Sequence, residues 1–162
     1  YAMNNQFSEI ERKFLIDSFP ADLPLKSACQ VYQAYLSFDP EVRIRRAARD
    51  GRDVARSLTV KSGGGLVRRE VRLELSKAQF DALSELIGHP FITKDYRVYQ
   101  LPDGLELECS LVDQGMKSEF MYAEIEFPSV EAAEGFTPLP WFRREVTEDP
   151  VYRMKHYWQS TR

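Results

Sequence analysis

The chain has 162 residues, of which 43% are hydrophobic and 12% aromatic, so its length and composition suit one folded domain over residues 1–162. Its 25 acidic and 22 basic residues nearly balance, which argues against a nucleic-acid surface and a polybasic membrane anchor. No apolar run is long enough to span a bilayer, and the amino terminus lacks the order of a signal peptide. The sequence therefore predicts a soluble, cytoplasmic protein, with Tyr1 and Ala2 ahead of Met3 interpreted as a vector-derived remnant.

Alternation of apolar and polar residues predicts eight strands. In chain order these are Glu9–Ile16, Val31–Phe38, Val42–Ala47, Ala55–Lys61, Leu66–Leu75, Arg97–Leu101, Leu105–Val112 and Met121–Phe127. Short, turn-prone connections such as residues 62–65 and 101–104 favour antiparallel hairpins over long crossovers.

Helices are predicted at three places. The clearest begins with a capping-box pair, Ser76 and Gln79, and ends at Gly88. A short helix is expected from Ser129 to Glu134, and another from Asp149, with proline at its first position, toward Ser160. These helices are too few to form a layer of their own, so we expect them to cover part of a sheet.

Charged residues recur at every second position of the predicted strands and therefore share one face of each strand. The first strand reads Glu-x-Glu-x-Lys. With Lys61 and Lys94, these faces collect eight acids, at positions 9, 11, 70, 74, 106, 108, 124 and 126, and seven bases, at positions 13, 43, 45, 61, 68, 72 and 94. In the folded protein, these charged side chains must either face water or surround a ligand of matching charge.

Two geometries accommodate these faces. In the first, they are the solvated side of an open antiparallel sheet. In the second, eight strands close into a barrel that removes exposed edges, and the charged faces line its interior. Because buried charges are costly unless paired or matched to an ionic ligand, a charged interior would imply a charged guest.

The charges themselves suit a polyphosphate with a divalent metal. Carboxylates two residues apart on a strand, as in Glu9 with Glu11 and Glu124 with Glu126, place hard oxygen ligands side by side, which suits Mg²⁺ or Mn²⁺. Arginines such as Arg43 and Arg45 can hold phosphate oxygens in a bidentate way. Phosphoryl transfer needs held phosphates, neutralised charge and a placed water, and this set can supply all three.

The order of motifs resembles the CYTH superfamily, the triphosphate tunnel metalloenzymes. The resemblance begins with Glu9-Ile10-Glu11-Arg12-Lys13 and covers nearly the whole chain. It continues through Arg43-Ile44-Arg45, Leu58-Thr59-Val60-Lys61, Gly65-Leu66 with Arg68 and Glu70, Leu101-Pro102-Asp103-Gly104, Ala123-Glu124-Ile125-Glu126-Phe127, and Glu145-Val146-Thr147 before Tyr152. The short length looks most like compact bacterial members that hydrolyse inorganic tripolyphosphate.

The resemblance implies a mainly β, α+β fold: an eight-stranded antiparallel tunnel with a charged lumen and the carboxyl-terminal helix at one end. It implies metal ligands at Glu9, Glu11, Glu124 and Glu126. It implies phosphate contacts from Lys13, Arg43, Arg45, Lys61, Arg68 and Lys94. Among these, Glu11 and Lys13 would also be catalytic, together with Glu70, which would help a second metal or the attacking water.

Four positions depart from the family pattern: Arg72 and Ser110 on predicted strands, Tyr96 just before one, and Met154 near the end of the chain. The first three put a second metal and the grip on one terminal phosphate in question. The main hypothesis is Mg²⁺- or Mn²⁺-dependent hydrolysis of tripolyphosphate to pyrophosphate and phosphate. The alternatives are a module that binds polyphosphate or nucleotide without turnover, a thiamine triphosphatase, and a class IV adenylate cyclase.

Several aromatic residues lie toward the carboxyl terminus, among them Trp141, Phe142, Tyr157 and Trp158. Two uses are open for them: packing of the closing helix, which is the favoured interpretation, or a homodimer contact.

Overall fold

The computed structural model describes residues 7–162, so the interpretation of Tyr1 and Ala2 lies outside the described part of the chain. Eight strands close into one antiparallel barrel, as the sequence predicts. They are β1 (Ser8–Leu15), β2 (Leu25–Phe38), β3 (Glu41–Arg49), β4 (Arg52–Ser62), β5 (Val67–Glu74), β6 (Ile92–Gln100), β7 (Glu106–Val112) and β8 (Phe120–Glu126). Around the barrel the order is β1-β5-β4-β3-β2-β6-β7-β8.

Two strands begin well before the residues that their alternation predicts. β2 starts at Leu25 rather than Val31, and β6 starts at Ile92 rather than Arg97. The added residues of each strand pair with the other strand, over a register that runs from Leu25 opposite Tyr99 to Gln33 opposite Ile92. The cause is tertiary, because cross-strand pairing stabilises segments whose own residues carry little strand signal.

Apolar side chains cover the outside of the barrel and pack under three helices, α1 (Lys77–Ile87), α2 (Val130–Gly135) and α3 (Met154–Thr161). The predicted capping box of α1 is present, with Gln79 N donating to Ser76 Oγ at 3.1 Å, and Gly88 ends the helix in the left-handed conformation. Phe80 of α1 is buried against the barrel. No helix within residues 7–162 has the length and apolar content needed to cross a membrane.

The predicted third helix is divided into two parts. Asp149 caps a 3₁₀ turn at Pro150–Tyr152, accepting a hydrogen bond from Val151 N at 3.1 Å, and α3 follows from Met154. Tyr157 and Trp158 of α3 are buried in the core, which agrees with the packing interpretation of these aromatics.

α3 is fastened to the barrel by a buried polar cluster around Asp113. Tyr157 Oη donates to this carboxylate at 2.6 Å, and Arg162 forms an ion pair with it at 2.8 Å. The two charged side chains are only 1% and 5% exposed. The cluster therefore holds the carboxyl-terminal helix across one end of the barrel.

Two of the acids expected on the charged faces lie outside the barrel interior. Glu74 is exposed at the end of β5, and Glu106 is half-buried at the start of β7, where it pairs with Lys26. The expectation fails at these positions because both strands end there, so the alternation continues past the enclosed part of the barrel.

Candidate active site

A polar cavity of about 190 Å³ occupies the barrel interior and is lined by charged side chains. Six are acidic and eight are basic: Glu9, Glu11, Glu41, Glu108, Glu124, Glu126, Lys13, Arg43, Arg45, Lys61, Arg68, Arg72, Lys94 and Arg153. Alternation along the strands turns these residues inward while their apolar neighbours pack outward. The closed tunnel is thus the geometry that the chain adopts, and the open-sheet alternative is wrong.

One side of the tunnel is an acidic wall on three adjacent strands, β7, β8 and β1. It consists of Glu9, Glu11, Glu108, Glu124 and Glu126. Glu11 lies directly opposite Glu126 in the β1–β8 register, and Glu108 lies opposite Glu124 in the β7–β8 register. Directly opposed like charges destabilise a sheet unless a counterion intervenes, so this wall favours a bound cation.

The other side is a basic wall on β5, β4, β3 and β6. It consists of Arg43, Arg45, Lys61, Arg68 and Lys94. These side chains come from four strands and from different positions along the tunnel axis, so the wall presents positive charge along the length of the tunnel. A linear anion would meet positive charge along its length.

Ion pairs form where the two walls meet. Lys61 Nζ lies 2.7 Å from Glu9 Oε2, and Arg68 Nη2 lies 3.0 Å from Glu11 Oε1. Lys13, on the acidic side, forms a 2.8 Å pair with Glu124. These contacts compensate part of the buried charge, but they leave both walls unsatisfied elsewhere.

Three cations of the basic wall have no carboxylate within ion-pair distance among residues 7–162: Arg43, Arg45 and Lys94. Lys94 Nζ donates to Tyr122 Oη at 2.6 Å, and the Arg45 guanidinium lies over the Tyr96 ring at 4.8 Å. Burial lowers the pKa of Lys94; attraction to Glu124 opposes this shift, and repulsion from Arg45 and Arg43 adds to it. This corner of the tunnel therefore carries excess positive charge that an anion would neutralise.

The acidic wall shows the complementary imbalance. Burial and the neighbouring Glu124 carboxylate raise the pKa of Glu108 to about 7. Burial also raises the pKa of Glu11, reinforced by Glu124 and Glu9, and that of Glu126, reinforced by Glu11. Glu124 differs: burial would raise its pKa, but Lys13 and Lys94 lower it to about 2. The wall thus combines an ionised carboxylate with crowded neighbours whose ionised forms a cation would stabilise.

The segment after residue 144 closes the tunnel beside β1. Val146 N donates to Lys13 O at 2.8 Å, and Lys13 N donates to Thr147 Oγ1 at 3.0 Å. Lys13 Nζ reaches Tyr152 O at 3.4 Å, and Arg153 lines the cavity behind it. The closing segment thereby fixes the backbone and the ammonium group of Lys13 together.

Comparison with known proteins identifies relatives of this site and fold. The chain is 38% identical over 148 residues to an inorganic triphosphatase of Nitrosomonas europaea, covering 91% of this chain and 95% of the relative. The crystal structure of the inorganic triphosphatase NE1496 superposes with a TM-score of 0.64 at 34% identity, covering 92% of this chain and 93% of that one. The chain belongs to the triphosphate tunnel (CYTH) family.

A more distant neighbour supports the fold alone. The PH1819 protein of Pyrococcus horikoshii superposes with a TM-score of 0.54 at 16% identity, covering 76% of this chain and 80% of that one. No family model matches the sequence.

The donor set of this triphosphate tunnel fits a hard divalent cation that is shared with a substrate. Within the described residues, no three Asp, Glu, His or Cys side chains are already grouped as metal ligands. Mg²⁺ seldom uses an all-protein cage, and is commonly held by one or two carboxylates together with substrate phosphates. The crowded Glu11 and Glu126 pair, with Glu126 in no side-chain hydrogen bond or ion pair within residues 7–162, provides such a partial ligand set.

The predicted site residues are brought together with one exception. Every predicted metal-binding and phosphate-binding side chain lines the tunnel, as do Glu11 and Lys13 of the predicted catalytic set. Glu70 is not among the lining residues: its carboxylate lies behind Lys61, at 2.6 Å from Nζ, and contacts Arg72 at 2.9 Å. The individual roles of all these residues stay predictions.

The four departures from the family pattern also lie at or near the tunnel. Arg72, with a side chain 53% exposed, pairs with Glu70 and not with the acidic wall. Tyr96 stacks on Arg45, and Ser110 is buried opposite it in the β6–β7 register. Met154 lines the cavity from the start of α3. Tyr96, Ser110 and Met154 therefore place uncharged aromatic, hydroxyl and thioether groups in the lining.

Sequence reasoning did not single out several lining residues as site residues. Gln33 and Tyr35 share the inward face of β2, where Gln33 Nε2 donates to Tyr35 Oη at 2.7 Å, and their alternation was a usable signal. Thr147 and Arg153 come from an irregular segment, whose approach to the tunnel depends on tertiary contacts. No strand or helix pattern could have identified these two.

Proposed function

We propose that this protein hydrolyses inorganic tripolyphosphate to pyrophosphate and phosphate with Mg²⁺ or Mn²⁺. The observation that carries the proposal is the division of the tunnel into an acidic wall of crowded carboxylates and a basic wall in which Arg43, Arg45 and Lys94 form no ion pair within residues 7–162. A metal-bound triphosphate satisfies both walls at once. The relative's name, inorganic triphosphatase, supports the same substrate.

In this proposal, the basic wall holds the phosphate chain along the tunnel. Arg43, Arg45 and Lys94 contact phosphate oxygens without first breaking an ion pair, and the Nε atoms of Arg43 and Arg68 are buried donors with no acceptor within residues 7–162. Guanidinium groups match the geometry of phosphate oxygens. The protein's cations thus fix the chain and spread the charge that develops during cleavage.

The acidic wall supplies the metal site, with Glu9, Glu11, Glu124 and Glu126 as ligands. A bound divalent ion would supply charge neutralisation and polarise a water for attack on a terminal phosphorus. Lys13, fixed by Glu124 and by the closing segment, orients the phosphate nearest to the acidic wall. Glu70 positions Lys61, because its carboxylate binds the same ammonium group that faces Glu9.

The test compares Glu11→Gln with a matched change outside the tunnel, Glu85→Gln on the exposed face of α1. Phosphate release from tripolyphosphate should require Mg²⁺ or Mn²⁺ and should fall by at least about a hundredfold in Glu11→Gln, since one metal ligand is lost. Glu85→Gln should behave as wild type. Equal turnover in the two variants would refute the scheme.

Two further results would redirect the proposal. Tight tripolyphosphate binding by calorimetry with no product after prolonged incubation would indicate a binding module. Faster turnover of thiamine triphosphate, or formation of cyclic AMP from ATP, would assign another member of the family's substrate range. A panel of these triphosphates against several divalent ions distinguishes all of the outcomes.

A further inference from the structure

The row of arginines on β3 continues beyond the enclosed part of the tunnel. Arg43 and Arg45 line the cavity, and Arg49 follows on the same side of β3 four residues after Arg45. Arg52 lies directly opposite Arg49 in the β3–β4 register, so the two share that side. At about 3.3 Å per residue, the row extends roughly 20 Å from Arg43 to Arg49. We call Arg49 and Arg52 the mouth arginines.

The mouth arginines are exposed, and neither has a carboxylate within ion-pair distance in the part of the chain that is described. The nearby acid Asp53 pairs instead with Arg46 at 3.0 Å and with Arg56 at 2.6 Å. Like charges directly opposite each other destabilise a hairpin. The pair therefore places exposed positive charge without an ion pair on both sides of the turn that contains Asp50.

Contacts place the mouth arginines at the rim of the tunnel and not on its outer wall. Arg49 Nε donates to Ala28 O at 3.2 Å, on the neighbouring strand β2. The next residue, Cys29, lies opposite Tyr96, which lines the tunnel. Burial raises the pKa of the Cys29 thiol, and the positive charges of Arg45 and Arg49 oppose this shift. Positive charge is thus continuous from the rim to Arg45.

The opposite side of the same rim is acidic. Glu106, Glu108 and Glu126 line a common surface depression there. An anion that approaches this mouth is repelled on one side and attracted on the other. The rim therefore directs a phosphate chain onto the β3 row.

We propose that Arg49 and Arg52 form an outer anion site that captures a linear inorganic phosphate chain and passes it inward to Arg45 and Arg43. The inference rests on the proposed triphosphatase function and adds to it a route of substrate entrance. Because the mouth arginines lie outside the cavity, they act on capture and not on bond cleavage.

The test uses the double variant Arg49→Gln/Arg52→Gln with magnesium tripolyphosphate. kcat/KM should fall about tenfold at low ionic strength, while kcat is unchanged, because steering raises association rates and not the chemical step. The dependence of kcat/KM on salt should become shallower, since fewer charges remain to be screened.

The matched control is Arg69→Gln/Lys117→Gln, which removes the same net charge from exposed positions away from this rim. It should keep the wild-type kcat/KM and salt dependence. If both double variants behave alike, the outer site does not exist.

Failure of the triphosphatase proposal would look different, because wild-type protein would then release no phosphate. In that event calorimetry with the same ligand still decides the inference. About tenfold weaker binding by the mouth variant, with the control unchanged, supports the outer site, and equal dissociation constants overturn it.

Discussion

Glu108→Gln should change the pH dependence of folding stability in the metal-free protein. The pKa of Glu108 is raised from 4.5 to about 7, first by burial and then by Glu124. Between these two values the folded chain holds a proton that the unfolded chain has lost. Wild-type stability from this group is therefore fully present below pH 4.5 and is lost as the pH rises through 7.

The magnitude follows from the size of the shift. At about 1.4 kcal/mol per pH unit, a shift of roughly 2.5 units corresponds to about 3 kcal/mol over the full range, of which about 2 kcal/mol falls between pH 5 and pH 8. Glutamine does not titrate, so the stability of Glu108→Gln relative to wild type should increase by that amount across the interval.

Urea unfolding with EDTA at several pH values between 5 and 8 measures this difference. Subtracting one profile from the other gives the contribution of position 108 together with its interaction with Glu124 and Glu11. Glu106→Gln, the same change at a half-buried carboxylate outside the tunnel on the same strand, is the control. A stability difference between Glu108→Gln and wild type that stays constant from pH 5 to pH 8 would refute the assignment of Glu108 as an uncompensated buried acid.

Two other predictions concern stability. Arg162→Met should lower the free energy of unfolding by about 3–5 kcal/mol, because Asp113 would remain buried without its ion pair. Urea unfolding should show partial recovery of this free energy when Asp113→Asn is added. An unchanged free energy of unfolding in Arg162→Met would contradict the role of this pair in holding α3. Ser76→Ala should lower the free energy of unfolding by about 1 kcal/mol, because the hydrogen bond that caps α1 is lost. Lys77→Ala, which breaks an exposed ion pair, should lower it by less than about 0.5 kcal/mol. Thermal unfolding of the two variants side by side tests this order.

Alternation predicted the strands and most of the tunnel lining, whereas the family resemblance favoured the closed barrel over an open sheet. Residues such as Glu11 and Arg43 lie on strands with a clear period of two and line the tunnel. However, Glu74 and Glu106 of the same predicted faces lie outside the tunnel. Lys94 also reaches the lining, although the predicted sixth strand began only at Arg97. The first part of β6 forms through pairing with β2, and the residue pattern within one segment cannot indicate such a pairing.

Alternation along single strands does not indicate the order of the strands around the barrel. β1 and β8 lie at opposite ends of the sheet-forming sequence, yet they are neighbours, and this places Glu11 beside Glu126. Had closure followed another order, the same alternating residues would have mixed acids with bases around the wall. Charge segregation is therefore a property of topology, whereas charge content is a property of sequence.

Segregation leaves some of the buried charge in each wall without a partner of opposite sign within residues 7–162. Ion pairs such as Lys61 with Glu9, Arg68 with Glu11 and Lys13 with Glu124 offset part of the desolvation cost. A cation alone would relieve the acidic wall, and an anion alone would relieve the basic wall, but either would leave the opposite wall unsatisfied. Metal and triphosphate also attract each other inside a desolvated tunnel, so their binding free energy is more favourable when they bind together than the sum of the two separate values. By linkage, each ligand must raise the affinity for the other by the same factor.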